Sequence, residues 1–165
     1  MEEKVISITL WGNGTKKGKW LDWYYENKNL MKDLGYKLTH IGIQSQSFTS
    51  GKILTVARKE KEILSKISDG EIPFSFSCYS LLKNYKTASF DYEILSVRKE
   101  EYISIIIKEV DYDRLNIQDV ISMMKKYIDY EYGEIYITSR AEMPLLYAAT
   151  RNADNIKSYS LLKKI

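Results

Sequence analysis

The run Tyr102-Ile103-Ser104-Ile105-Ile106-Ile107, "YISIII", is apolar at almost every position. A strand with one wet face alternates apolar and polar side chains, whereas a strand covered on both faces reads as a nearly unbroken apolar run. The stretch therefore predicts a central strand over Tyr102 to Val110. Upstream, Ile72 to Tyr79 and Ser89 to Val97 read as two more strands joined by short loops, the first with Ile72, Phe74, Phe76 and Cys78 on one face. Downstream, Ile117, Val120, Ile121, Met124, Tyr127 and Ile128 form an apolar stripe at helical spacing, which predicts a helix from Ile117 to Glu131 with Asn116 as its cap and Gly133 as its stop.

Further out the pattern repeats. Glu134 to Thr138 reads as a strand, and Met143 to Ala148, "MPLLYA", returns to the core as a strand or short helix. At the other end, Val5 to Leu10 alternates as a strand, and Trp20, Trp23, Tyr24, Met31 and Leu34 make a helical stripe closed by Gly35. Lys37 to Gln44 follows as a strand, giving a strand-helix-strand unit whose strands would run parallel. Ile53, Val56, Ala57, Glu60, Leu64 and Ile67 suggest another helix, capped by Thr49 or Ser50 and ended by Asp69-Gly70. The sum is a single α+β domain spanning residues 1–165, a mixed sheet of about five to six strands with about three helices packed on it.

Composition limits what this domain does. A chain of 165 residues buries roughly 70% of its unfolded surface and needs neither metal nor disulfide to fold. No apolar run approaches the roughly 20 residues of a membrane helix. The N-terminus lacks the basic start and small-residue cleavage site of a signal peptide, and the only cysteine, Cys78, has no disulfide partner, so a reducing, cytoplasmic setting is expected. A net charge of +3 with Lys and Glu interspersed argues against a nucleic-acid partner. Fourteen tyrosines and three tryptophans favour a packed or recognising surface.

Few residues suggest chemistry. In "GNGTKKGK", Gly12 to Lys19, Gly18-Lys19 matches the end of a phosphate-binding loop. Asn13 stands where the first glycine belongs, and Trp20 stands where a hydroxyl would hold magnesium. Gly12, Gly14 and Gly18 are one residue too widely spaced for the dinucleotide pattern. His40, the single histidine, and Cys78 lack the local signature of a nucleophile pair. Asp111 and Asp113 would hold a divalent cation only with a third ligand that the sequence does not identify. The alternative of a small nucleotide- or metal-dependent enzyme rests on that loop and that pair. No cofactor is expected. Two acidic-aromatic clusters stand out instead: Asp111, Tyr112 and Asp113 before the third helix, and Asp129, Tyr130, Glu131, Tyr132 and Glu134 at its end. Tyrosine beside carboxylate suits a partner-binding surface, because the ring supplies buried area and the carboxylates steer association.

The phrase "YEYGEIYITSRAEMPLLYAA", Tyr130 to Ala149, with its Tyr-Gly turn, short strand and proline-led return, resembles the immunity proteins of bacterial polymorphic and contact-dependent toxin systems. The resemblance implies a protein that binds and neutralises a cognate toxin domain by direct contact, without catalysis or metal. Many such proteins are acidic because their toxins are basic nucleases. The +3 charge here departs from that pattern and argues against a nuclease as the partner.

Overall fold

The computed structural model describes residues 3–14 and 19–165. Its strands are β1 (Lys4–Asn13), β2 (His40–Gln44), β3 (Ile53–Thr55), β4 (Ser75–Leu81), β5 (Tyr92–Lys99), β6 (Tyr102–Lys108), β7 (Asp129–Ser139) and β8 (Ser160–Lys164). Its helices are α1 (Trp20–Asp33), α2 (Val56–Ser68), α3 (Glu109–Tyr112), α4 (Ile117–Lys125) and α5 (Pro144–Thr150). The strands make one eight-stranded sheet in the order β3-β2-β4-β5-β6-β1-β7-β8.

As its sequence predicts, β6 is internal, flanked by β5 and β1 and buried along almost its whole length. Ile103, Ile105 and Ile107 point to one face, and Tyr102 and Ile106 to the other. On the first face, α1, α2 and α4 lay Trp23, Tyr24, Met31, Ile63, Ile67 and Met124 over Ile8, Leu10, Ile41, Phe76 and Cys78. The second face is covered by α5 and nearby connections, whose Tyr147, Ala148, Ala88 and Ile156 rest on Val5, Trp11, Leu95 and Tyr136. Burying both faces is what forces β6 to be apolar throughout.

The sheet is not mixed. β1 and β2 point the same way, but β6, β5 and β4 lie between them, so they share no ladder and every ladder in the sheet is antiparallel. Short connections between β4, β5 and β6 bring each strand back beside its predecessor, which only antiparallel pairing allows. β1 then fits between β6 and β7, pairing from Val5 opposite Lys108 to Trp11 opposite Tyr102.

Several expected boundaries also move. Ile53 belongs to β3, paired with Gly42, and α2 starts at Val56 after an N-cap at Thr55, not at Thr49 or Ser50. Ile72 and Phe74 are exposed and precede β4, because Pro73 has no N–H and holds its neighbour extended. β5 begins at Tyr92, since the Asp91 carboxylate accepts from Lys86 N (2.7 Å) and Thr87 N (2.9 Å) and fastens the preceding turn. The third predicted helix ends at Lys125, so Asp129, Tyr130 and Glu131 are strand residues. Asn116 does cap it, accepting from Asp119 N at 3.2 Å. Gly133 stops no helix. It lies inside β7, where an added Cβ would stand 2.7 Å from Leu10 Cδ2 and 2.9 Å from Ile165 Cβ. α5 occupies the segment read as strand or short helix, and β8 has no counterpart in the sequence reading. Among the described residues no helix is long and apolar enough to cross a membrane.

Candidate functional site

The acidic-aromatic residues fall into two groups at opposite ends of β1. Lys108, where β6 gives way to α3, pairs with Val5, whereas Asp129 pairs with Asn13. At the rise of an extended strand those ends are about 27 Å apart. Asp111, Tyr112 and Asp113 therefore do not join the other five.

The first group is mostly structural. Asp111 is 3% exposed and accepts from Tyr36 Oη (2.6 Å) and Arg114 Nη1 (2.8 Å). Arg114 Nη2 also donates to Leu34 O at 2.9 Å, so Asp111 ties α3 to the end of α1. Burial, then the Asp111 carboxylate, raises the Tyr36 phenol above its usual pKa. Tyr112 packs half-buried against the first-face core, and only Asp113 is exposed. Among the described residues no three His, Cys, Asp or Glu side chains converge as metal ligands.

The second group divides by strand alternation. Glu134 points inward, is 4% exposed, and accepts from Tyr147 Oη (2.7 Å), Tyr159 Oη (2.8 Å) and Tyr132 Oη. A partner does not reach it. Tyr132 stacks on Trp11 at 5.7 Å between ring centres, and the Arg151 guanidinium lies 4.3 Å from the Tyr132 ring. Trp11 Nε1 donates to Ala148 O (2.7 Å), so this cluster binds α5 to the sheet. Burial pushes the Tyr159 hydroxyl up to about 12.

Asp129, Tyr130 and Glu131 remain exposed, with Lys125 Nζ 4.8 Å from the Tyr130 ring centre. They stand at the end of the sheet where β1 leads toward α1. There Asp22, Tyr25 and Glu26 of α1 border a depression of about 320 Å³ together with Tyr127 and Lys126. Glu26 pairs with Lys126 and accepts the Tyr127 hydroxyl. Asp22, Tyr25 and Glu26 were missed by a sequence reading that followed only the apolar stripe of α1. The signal was available in the opposite stripe, where Asp22, Tyr25 and Asn29 recur at helical spacing.

Arg98 was also missed. Its side chain is fully buried, its guanidinium lies 3.7 Å from the Trp20 ring and 5.2 Å from that of Tyr127, and Nη2 donates to Gly14 O at 2.9 Å. Burial lowers its pKa to about 10. Gly14 and its neighbour Gly12 are engaged by protein carbonyls. Gly12 N donates to Glu101 O (3.0 Å) and Gly14 N to Glu100 O (2.8 Å), so neither N–H is free to cradle a phosphate. Residues 15–18 of the Gly12 to Lys19 loop lie outside the described residues.

His40 and Cys78 do not meet. Cys78 pairs with Ile41 and points into the first-face core, while His40 pairs with Tyr79 and points to the opposite face. Burial pushes the Cys78 thiol up to about 12 and lowers the His40 pKa, and His40 Nδ1 lies 2.8 Å from Thr39 Oγ1. No protein-family model, curated protein or solved structure matches this chain.

Proposed function

We propose that this chain is an immunity-type protein that binds and neutralises a cognate bacterial toxin domain by direct contact in the cytoplasm, with no catalysis or cofactor of its own. The resemblance of Tyr130 to Ala149 to such proteins supports the class. One surface observation supports the mode: Tyr25 and Tyr130, 48% and 38% exposed, are carried by the helix that follows β1 and the strand that pairs with its end. Tyr25 lies on the rim of the depression with Asp22, and Tyr130 is next in the chain to Asp129 and Glu131. Exposed aromatic rings bordered by carboxylates offer anchors that a basic patch on a partner would cover. The strand and helix that carry them are fastened to the core by Tyr127, Trp20 and Trp23, so the rings are presented on a rigid support.

The test is capture of the toxin encoded beside this chain, together with protection of cells that express it. The wild-type chain is expected to do both. Tyr130→Ala and the double change Asp129→Lys/Glu131→Lys are expected to weaken capture by at least about tenfold, as loss of a central anchor or a steering charge does. Both variants should unfold at the same denaturant concentration as wild type. A wild-type chain that neither binds nor protects would remove the proposal.

A further inference from the structure

We infer that the groove between the C-terminal half of α1 and the start of α2 receives an acidic segment of the toxin partner, one that carries an apolar side chain beside its carboxylates. The inference rests on the partner-binding reading and adds a charge pattern to that partner. α1 ends at Asp33 with Leu34 as its C-cap, and Gly35, at φ +84°, turns the chain so that Tyr36 to Leu38 pass back beside the helix. With Val56 at the start of α2, this turn encloses about 400 Å³, a volume in the range of ligand-binding clefts.

The walls are apolar and the rim is cationic. Tyr36, Leu38 and Val56 line the groove, and Lys28, Lys32 and Lys37 surround it. Tyr36 is braced from behind by its hydrogen bond to Asp111 (2.6 Å) and by Lys108 Nζ, 5.2 Å from its ring centre. Lys28 pairs with Glu60 at 2.9 Å. Among the described residues, neither Lys32 nor Lys37 has a carboxylate within ion-pair distance.

Two uncompensated cations over an apolar floor select an amphipathic anion. An inorganic ion would leave the Tyr36, Leu38 and Val56 surface wet, and a neutral apolar group would leave the lysines unanswered. α1 also carries the acidic-aromatic surface on its N-terminal half, and its 14 residues span about 21 Å. One partner lying along the helix would meet carboxylates first and lysines second. Such a partner presents a basic patch and an acidic segment of matching separation, and the opposite order is repelled.

A fluorescein-labelled helical peptide with Glu on one face and Leu and Phe on the other is the probe, titrated with the full chain and followed by anisotropy. Binding is expected to weaken steeply with salt and to fall at least about tenfold in Lys32→Glu/Lys37→Glu. Tyr130→Ala should leave it unchanged. Amide resonances of Leu38 and Val56 should move with peptide, which locates the contact without any variant. Equal binding of a peptide with Lys in place of Glu, or of one with Ser in place of Leu and Phe, would overturn the inference. So would undiminished binding to the charge-reversed chain. If that chain still neutralises the toxin as wild type does, the groove assignment falls and the immunity reading stands. If the wild-type chain neutralises no toxin while the acidic peptide binds at the groove, the immunity reading falls and the site for an acidic segment remains.

Discussion

Glu134 holds the second face of the sheet together by accepting three tyrosine hydroxyls, from Tyr132, Tyr147 and Tyr159. Replacing it with alanine removes an acceptor shared by all three, leaving the buried Tyr147 hydroxyl only the Tyr159 oxygen at 3.2 Å, and Glu134→Ala is expected to lower unfolding free energy by about 1–3 kcal/mol in a urea titration. Glu134→Gln retains one acceptor oxygen and should lie between that variant and wild type. The sequence places Glu134 and Tyr136 in one phase of an expected strand, whereas Tyr132 reads as the end of the preceding helix and joins their face only because β7 starts at Asp129. What covers that face was not legible, because Tyr147 and Tyr159 come from a separate helix and loop. Cys78 shows the reverse case, where its phase with Phe76 alone placed it in the core. With burial raising the thiol to about 12, native protein at neutral pH should resist alkylation by iodoacetamide and react only as it unfolds. Rapid labelling of folded protein would show that the thiol is accessible.

At the scale of the element, β1 and β7 depend on Gly12. The pairing register shifts between Trp11 and Gly12, and a Cβ added at Gly12 would stand 2.0 Å from Asp129 O. Gly12→Ala must separate the two strands at this irregularity, and an overpacking cost of about 1–3 kcal/mol is expected. Hydrogen exchange at Tyr130 and Glu131 should accelerate, and unchanged exchange there would mean that the strands do not close so tightly. The helical stripes of α1 and α4 were legible because their apolar periods are long. The end of α4 was not, since Tyr127 and Ile128 continue its stripe and still face the core from the turn into β7. β3 and β8 escaped notice for a different reason. They are short and largely exposed edge strands whose apolar residues do not alternate strongly, and edge pairing leaves little imprint on composition.

At the scale of the whole molecule, the tyrosines couple the fold to alkaline pH. Burial raises Tyr102 and Tyr159 to about 12, and Tyr92 and Tyr136 are also raised, chiefly by burial. The unfolded chain releases these protons near pH 10, earlier than the native state does. Their contribution to stability is therefore fully present below pH 10 and is lost as pH rises through about 12. The part of the tyrosinate absorbance that comes from these rings should rise together with the loss of near-ultraviolet circular dichroism, in a cooperative step across that window that follows ionisation of the exposed rings. Separate titration of these rings with the fold intact would contradict their burial. Charge acts at the same scale. α1 carries Asp22 and Glu26 in its first half and Lys28 and Lys32 in its second, with Asp33 after them, so charges of both signs lie along one helix beneath a net charge of only +3.

Local periodicity was enough to place an internal apolar strand, three amphipathic helices and the inward phase of β1 and of Phe76 and Cys78 in β4, since burial of one stripe or face is recorded in neighbouring residues. Strand order, the antiparallel direction of every ladder and the distance between the two acidic clusters were decided only in the folded chain. The physical reason is that these depend on which segments meet across long sequence separations: Val5 beside Lys108, Asn13 beside Asp129 and Tyr36 against Asp111. No local period encodes such pairings, and they alone determine that Asp111 and Glu134 are buried supports while Tyr25 and Tyr130 face solvent.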